Sequence, residues 1–273
     1  MDELTDAQPA PQPDTDRPSP VETPHEPAQR LLDQLWDFGA AEESEARFRA
    51  AIEDDAHPSQ LRAVFVTQLA RALGLQGRFG EGGAVLDELE AGADDDGELR
   101  ARIALERGRL LNSAARAAEA VPELTRAVRE AAGAGEPFLA LDALHMLALA
   151  DVGHEREWAE EGLALLATER DPRVLRWGVA LNNNLGWTLH DAGHAVEALV
   201  RFEDAARYAE RYGTAEQRHI ARWSIARCLR TLGRLDEARE IQLALAAERP
   251  DDEYVHAELR ELGVSDAAPT IEG

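Results

Sequence analysis

Apolar residues recur at helical spacing along most of the chain, from about residue 28 to residue 263. Gly, Asp or Pro interrupts this pattern roughly every 15 to 20 residues, the length of one helix and its turn. Aromatic residues make up only 5% of the chain, while the helix-favouring Ala, Leu, Glu and Arg recur throughout. The pattern therefore predicts an all-α protein.

Turn glycines indicate an internal repeat. Gly77, Gly153, Gly193 and Gly233 each follow a helical run, and the last three lie 40 residues apart. Aligning the chain on them gives a column of leucines and, three residues earlier, a column of mostly small residues: Leu73, Leu111, Leu149, Leu189 and Leu229; Ala70, Gly108, Met146, Gly186 and Ala226. Such a period predicts stacked helix pairs, in which small residues permit close approach and the leucines fill the seam.

The helix after each turn shows matching columns at spacings of four and three residues, which place them on one face. Its columns are Gly82, Ala120, Trp158, Ala198 and Ala238; Leu86, Leu124, Gly162, Phe202 and Gln242; Leu89, Ala127, Leu165, Ala205 and Leu245. Trp158, Gly162 and Gln242 depart from the pattern. The turn glycines are expected to have a positive φ, which a side chain resists.

These columns resemble the tetratricopeptide repeat. The clearest copy is Leu185, Gly186, Leu189, Gly193, Ala198, Phe202 and Ala205, and the resemblance covers about residues 59 to 250. The repeats are 38 to 40 residues long, similar to the longer variants of kinesin-light-chain-like and bacterial peptide-sensor proteins. The resemblance implies a right-handed α-α superhelix (solenoid) of five to six antiparallel helix pairs, with a degenerate first pair at about 28 to 54 and a capping helix at 251 to 262.

Composition predicts the boundaries of the folded domain and argues against some classes of binding partner. Residues 1–27 are acidic and proline-rich and are expected to be disordered, 28–263 to form the solenoid, and 264–273 to form a flexible tail. The net charge of −24 argues against general binding to nucleic acid or membrane. Cys228 is the only cysteine, and no secretory signal or membrane span is recognised, so we expect a cytoplasmic protein. All 29 basic residues are arginine, which suggests a GC-rich bacterial genome.

The concave face of such a solenoid is lined by the first helix of each pair and is the expected binding surface. The predicted groove residues are Asn183, Trp187, His190, Trp223, Arg227, Arg230, Arg109 and Arg71. By resemblance to peptide-binding tetratricopeptide modules, Asn183 is expected to hold the main chain of a ligand. From the residues alone, solvated helix surface or an inter-helix hydrogen bond explains this asparagine equally well.

Residues 217–235 contain five arginines and no acid, which is unusual in so acidic a chain: Arg218, Arg222, Arg227, Arg230 and Arg234. Beside Trp187 and Trp223, this arginine strip suits a peptide with acidic residues or a free C-terminal carboxylate. The alternative is structural, with Trp223 in the core and with Arg222 and Arg218 paired to acids of neighbouring helices such as Glu197, Glu203 or Asp204.

The sequence offers no catalytic or metal constellation. His190 and His194 have zinc-like spacing, but Gly193 ends the helix between them, and Cys228 is expected to be a packed thiol. Asp94, Asp95 and Asp96 are expected in a solvated loop, and no cofactor is predicted. The leading hypothesis is a bacterial scaffold or adaptor that binds a protein or peptide. The alternatives are a peptide-sensing regulator of a transcription factor, an enzyme or metalloprotein, and a nucleic-acid reader based on the arginine strip.

Overall fold

A computed structural model describes residues 25–92 and 96–264, and all regular structure in these ranges is helical. The predicted N-terminal tail to residue 24, the acidic loop at 93–95 and the tail from 265 lie outside them. The helices are α1 (His25–Leu35), α2 (Ala41–Glu53), α3 (Ser59–Leu75), α4 (Phe79–Glu90), α5 (Gly97–Ser113), α6 (Ala117–Ala134), α7 (Pro137–Ala150), α8 (Glu155–Leu166), α9 (Pro172–Leu175), α10 (Trp177–Asp191), α11 (Ala195–Tyr212), α12 (Ala215–Thr231), α13 (Leu235–Glu248) and α14 (Glu253–Glu261).

Contacts divide the chain into two units, residues 1–36 and 37–273. The first unit contributes α1, which begins within the segment predicted to be a disordered tail. The second contains α2 to α14. The predicted packing of a degenerate pair at 28–54 stays a prediction.

Five helix pairs follow α2: α3 with α4, α5 with α6, α7 with α8, α10 with α11, and α12 with α13. The first helix of each pair also packs against the first helix of the next, so α3, α5, α7, α10 and α12 form one layer, here called the first-helix layer. The predicted all-α solenoid is confirmed. None of the helices in the described ranges combines the length and apolar character that crossing a bilayer demands.

Local sequence fixes the ends of the helices. Thr214 and Gln217 form a capping box at the start of α12, each side chain accepting a hydrogen bond from the other's backbone N–H. Asp96, the described member of the acidic loop, caps α5. At the end of α10, Gly193 has a φ of 84°, and the N–H of the next residue, His194, donates to Leu189 O at 2.8 Å. This is the left-handed helix end predicted from the turn glycines.

The predicted seam is buried with one exception. All five residues of the small column and all fifteen of the second-helix columns are buried or half-buried. Leu149, predicted to fill the seam, is instead 51% exposed, so this prediction was wrong. Helix α7 ends at Ala150, and four residues separate it from α8, whereas three separate the helices of the other pairs. Trp158, in the column otherwise held by Gly and Ala, donates from Nε1 to Asp151 in this longer connection at 2.8 Å.

Candidate peptide-binding surface

Helices of the first-helix layer carry all eight predicted groove residues, but in two separate groups. Asn183, Trp187 and His190 lie on α10, next to Trp223, Arg227 and Arg230 on α12. Arg71 and Arg109 lie on α3 and α5.

An aromatic cluster joins α10 to α12. The Trp187 ring lies 4.9 Å from Phe202 and 5.9 Å from Trp223, centroid to centroid. Trp223 in turn meets Tyr254 of α14 edge to face at 6.5 Å, and Tyr254 is 76% exposed. Both indoles are half-buried, and Trp223 also packs against the core residues Leu245 and Val255. Trp223 therefore combines a structural role with partial exposure on the layer.

Each member of the asparagine triplet has its own structural contact. Asn182 is buried and donates to Gly178 O at 2.8 Å, and Asn184 Nδ2 lies 3.4 Å from His145 Nδ1 of α7. Asn183 is half-buried, and its Oδ1 accepts a hydrogen bond from Ser224 of α12 at 3.1 Å. This inter-helix bond uses Oδ1, and Nδ2 of Asn183 has no acceptor among the described residues.

His190 also bridges α10 and α12. Its Nε2 is 2.9 Å from Thr231 Oγ1 and its Nδ1 is 3.2 Å from Asp191 Oδ1. Helix α10 ends at Asp191, and His194 occupies the N-cap of α11, so the two histidines belong to different helices. Within residues 25–92 and 96–264, no three His, Cys, Asp or Glu side chains form a group that could hold a metal ion.

Every arginine of the strip contacts an acid or a carbonyl of this chain. Glu258 of α14 holds two of the predicted groove arginines: its Oε1 is 3.1 Å from Arg227 Nε and its Oε2 is 2.8 Å from Arg230 Nε. Hydrogen bonds from Arg230 to Glu258 also raise the pKa of the Arg230 guanidinium. The remaining contacts are Arg218 with Gly213 O, Arg222 with Glu248, and Arg234 with Glu237. Arg222 thus pairs with an acid of a neighbouring helix, although that acid is not Glu197, Glu203 or Asp204, whereas Arg218 contacts a backbone carbonyl. Binding of a ligand by the strip stays a prediction.

A buried ionic group surrounds Arg109. Its guanidinium pairs with Asp142 of α7 and lies 3.3 Å from Glu106 Oε2. Burial by itself lowers the pKa of Arg109. Attraction to the carboxylates of Asp142 and Glu106 outweighs this effect, so the pKa of Arg109 is raised. Burial raises the pKa of Glu106 despite the attraction of Arg109 and Arg71. Burial, followed by repulsion from Arg109, lowers the pKa of Arg71, whose guanidinium lies 5.2 Å from the Phe38 ring centroid.

Sequence reasoning missed Glu106, Asp142 and His145. The sequence did contain a signal for a buried ion pair. Helix α7 is otherwise apolar, and Asp142 and His145 are its only titratable residues. Buried charges in helices are paired almost without exception. Together with Asn183–Ser224 and His190–Thr231, the contacts Arg109–Asp142 and His145–Asn184 link successive helices of the first-helix layer from α5 to α12.

Charge separates the two layers of the five pairs. The first helices carry ten arginines and five acids, whereas the second helices carry seven arginines and 19 acids. The first-helix layer is therefore net positive within a strongly acidic protein. Some of this excess is neutralised by acids of the second helices and of α14.

Cys228 is a packed thiol, as predicted. It is fully buried, and its Sγ lies 3.2 Å from Ala195 O. Burial raises the pKa of this thiol, which is opposite to the shift that activates a nucleophile.

A cleft that was not predicted lies between α8 and α11, with a volume of about 340 Å³. Leu185 and Leu189 of α10 form part of its lining, together with Arg156 and Glu160 of α8 and Val200 of α11. It is a rival location for a ligand, because none of the eight predicted groove residues lines it.

Comparison with known proteins supports the fold. The sequence matches no protein-family model and no curated protein. A structure of kinesin light chain TPR-like repeats from Podosopora anserina is similar with a TM-score of 0.53 and 22% identity, over 75% of this chain and 98% of that one. The apo form of the quorum sensor NprR from B. thuringiensis has a TM-score of 0.57 and 16% identity, over 86% of this chain and 66% of that one. The fold is thus of the tetratricopeptide-repeat type.

Proposed function

We propose that this protein is an interaction scaffold or adaptor that binds a peptide segment of a partner protein on the first-helix layer. The observation that carries the proposal is the half-buried Trp187–Trp223 pair, which spans two adjacent first helices at 5.9 Å. Exposed parts of clustered aromatic rings provide the apolar anchors that dominate protein–protein binding. The net positive charge of the layer favours a partner segment that contains acidic residues.

Asn183 gives this surface a hydrogen-bond donor for a guest main chain. Because Ser224 occupies Oδ1, the Nδ2 group is the part of the amide left for a ligand carbonyl. The structural bond and the binding role are therefore compatible. In this function the chain binds a partner and catalyses no reaction. We also propose that it acts in the cytoplasm of a bacterium, where a lone unpaired thiol is usual.

Affinity purification of the full chain, followed by mass spectrometry and peptide synthesis, would provide a partner peptide. We expect that peptide to change the tryptophan fluorescence of the protein, and Asn183→Ala to weaken its binding about tenfold, the loss of one hydrogen bond. Ser224→Ala is the matched control, since it removes the same inter-helix bond but leaves the amide in place.

Val200→Ser tests the cleft between α8 and α11. Loss of binding in Val200→Ser, with Asn183→Ala unaffected, would place the ligand in the cleft instead.

A second candidate is a sensor, in which a short peptide changes the curvature of the solenoid and so controls a partner such as a transcription factor. The side-chain bridges between successive first helices favour it, because a guest that competes for them alters the spacing of the helices. Small-angle scattering should then show compaction when the peptide is added. An unchanged scattering curve with saturating peptide would leave the scaffold as the function.

A further inference from the structure

Helix α14 covers the apolar end of the last pair. Val255 and Leu259 are four residues apart on one face of α14, and both are buried in a cluster with Leu245 of α13. Trp223 of α12 and Ile241 of α13 form the partly buried edge of this cluster. We call the surface of α12 and α13 beneath α14 the α14 seat.

The charges of α14 match its seat. The Glu258 carboxylate lies between Arg227 and Arg230, at 3.1 Å and 2.8 Å from their Nε atoms. At the start of the helix, Asp252 Oδ2 is 2.8 Å from Nε2 of the buried His219. Asp252 also caps α14 through Oδ1, which accepts from the N–H groups of Tyr254 and Val255. The seat thus presents arginine side chains at one point and a histidine at another. Glu258 of α14 and Asp252, its N-cap residue, supply a carboxylate to each.

Helix α14 is poorly stabilised by its own sequence. It has nine residues, and helices of this length are not stable in water without tertiary contacts. The segment that joins it to α13 includes Pro250, which interrupts the helix and separates α14 from α13 as an independent element. Elements at the end of a fold generally open at lower free energy than its centre. Helix α14 is therefore expected to leave its seat at a lower free energy than the central helices need to separate.

We propose that the α14 seat is a binding surface for an acidic amphipathic helix of a partner protein, and that α14 is its resident occupant. The recognised pattern has apolar residues at two positions four apart and a carboxylate immediately before the second, as in Val255, Glu258 and Leu259. The guest replaces α14 and pairs its carboxylate with Arg227 and Arg230. This inference rests on the proposed peptide-binding function and specifies the chemistry of the guest.

A peptide of residues 250–264 is the appropriate probe, because it has the chemistry of the resident helix. Binding of the labelled peptide to the full chain is measured by fluorescence anisotropy, for the wild type and for Leu259→Asp, which loosens α14. We expect Leu259→Asp to bind the peptide at least about tenfold more tightly than the wild type, since the resident helix no longer competes. A peptide with Glu258→Gln should bind this variant about tenfold more weakly, through loss of the charge pair.

Two full-chain variants make the test independent of how well Leu259→Asp folds. Glu258→Gln weakens the resident helix while sparing its apolar contacts, and should also bind the peptide more tightly than the wild type. Glu261→Gln is the matched control: Glu261 lies 3.8 Å from Arg230 and is largely exposed, so peptide affinity should stay at the wild-type value.

Equal affinity of wild type, Leu259→Asp and Glu258→Gln for the peptide would overturn the inference. So would equal binding of the two peptides. A wild-type dimer that dissociates in the Leu259→Asp variant would show that the occupant is α14 of a second copy and would also overturn it. The Asn183 and Ser224 variants test α10 and α12 away from Glu258, so the proposed function and this inference can fail separately.

Discussion

Phe202 of α11 lies so close to Gly186 of α10 that a Cβ at residue 186 would be 2.6 Å from the ring. The same relationship joins Gly108 to Leu124, where a Cβ would be 2.5 Å from the leucine. In both pairs the residue in the small column leaves space for the large residue of the second helix. In these two pairs the repeat pattern therefore reflects packing: a glycine on the first helix makes room for a large side chain of the second helix.

Gly186→Ala should destabilise the protein by up to about 2 kcal/mol. Overpacking a core by one methyl group costs about 1 to 3 kcal/mol, which exceeds the roughly 1 kcal/mol that Ala gains over Gly in a helix. Urea unfolding followed by circular dichroism measures the change. Gly83→Ala in α4 is the control, because nothing lies within 4 Å of its added Cβ, and it should be stabilising. Stabilisation by both substitutions would show that the contact with Phe202 is not restrictive.

Ala115 stands where the other pairs have the turn glycine, and its φ is 58°. A side chain in this region of backbone space costs about 1 kcal/mol or more. We expect Ala115→Gly to raise the midpoint of thermal unfolding, and Gly193→Ala to lower it, because Gly193 has a φ of 84°. The pair of substitutions tests the same backbone geometry in opposite directions. A lower midpoint for Ala115→Gly would mean that the entropy of the unfolded glycine dominates.

Most of the fold was predictable because the spacing of the apolar and small residues follows from how the helices pack. Gly186 and Phe202 occupy columns that the alignment defined, and both have the contacts expected of those columns. Leu149 was not predictable by the same rule. The repeat alignment assumes turns of one length, and the Trp158–Asp151 hydrogen bond accompanies a longer one.

The sequence predicted which helices carry the candidate site. It did not predict which side chains of the same chain pair with the site residues. Trp187 and Trp223 were expected on adjacent first helices, and they lie together there. The acid that neutralises Arg227 and Arg230 is Glu258, on a helix that sequence spacing alone did not relate to them. Ion pairs between distant segments depend on how the helices stack, which periodicity does not specify.

Gln242 is fully buried in a column that the other pairs fill with Leu, Gly or Phe. Its Nε2 and Oε1 have no hydrogen-bond partner among the described residues. A buried amide without partners costs about 1 to 3 kcal/mol, and Met has a similar length without the polar groups. We expect Gln242→Met to stabilise the protein by about 1 kcal/mol or more in urea unfolding. Gln76→Met is the contrasting control and should destabilise, because Gln76 Nε2 donates to Glu45 at 2.9 Å.

His145 should make the solenoid less stable in mild acid. Burial, with a contribution from Arg109, lowers its pKa below the usual 6.5 despite the nearby carboxylate of Asp142. Trp177 and Asn184 face the same ring. As pH falls below about 6.5, the unfolded chain takes up a proton that the folded chain does not, so stability is lost from there down to the folded pKa.

Replacing His145 with Gln removes this titration and keeps a polar partner for Asn184. Between pH 7.5 and 5.5 the wild type should lose up to about 1.4 kcal/mol more of its unfolding free energy than His145→Gln does, the linkage of one proton over that interval. Urea unfolding at both pH values measures the difference, and comparison with the variant subtracts the contributions of the other histidines. Equal losses would show that His145 binds its proton equally well in the folded and unfolded states.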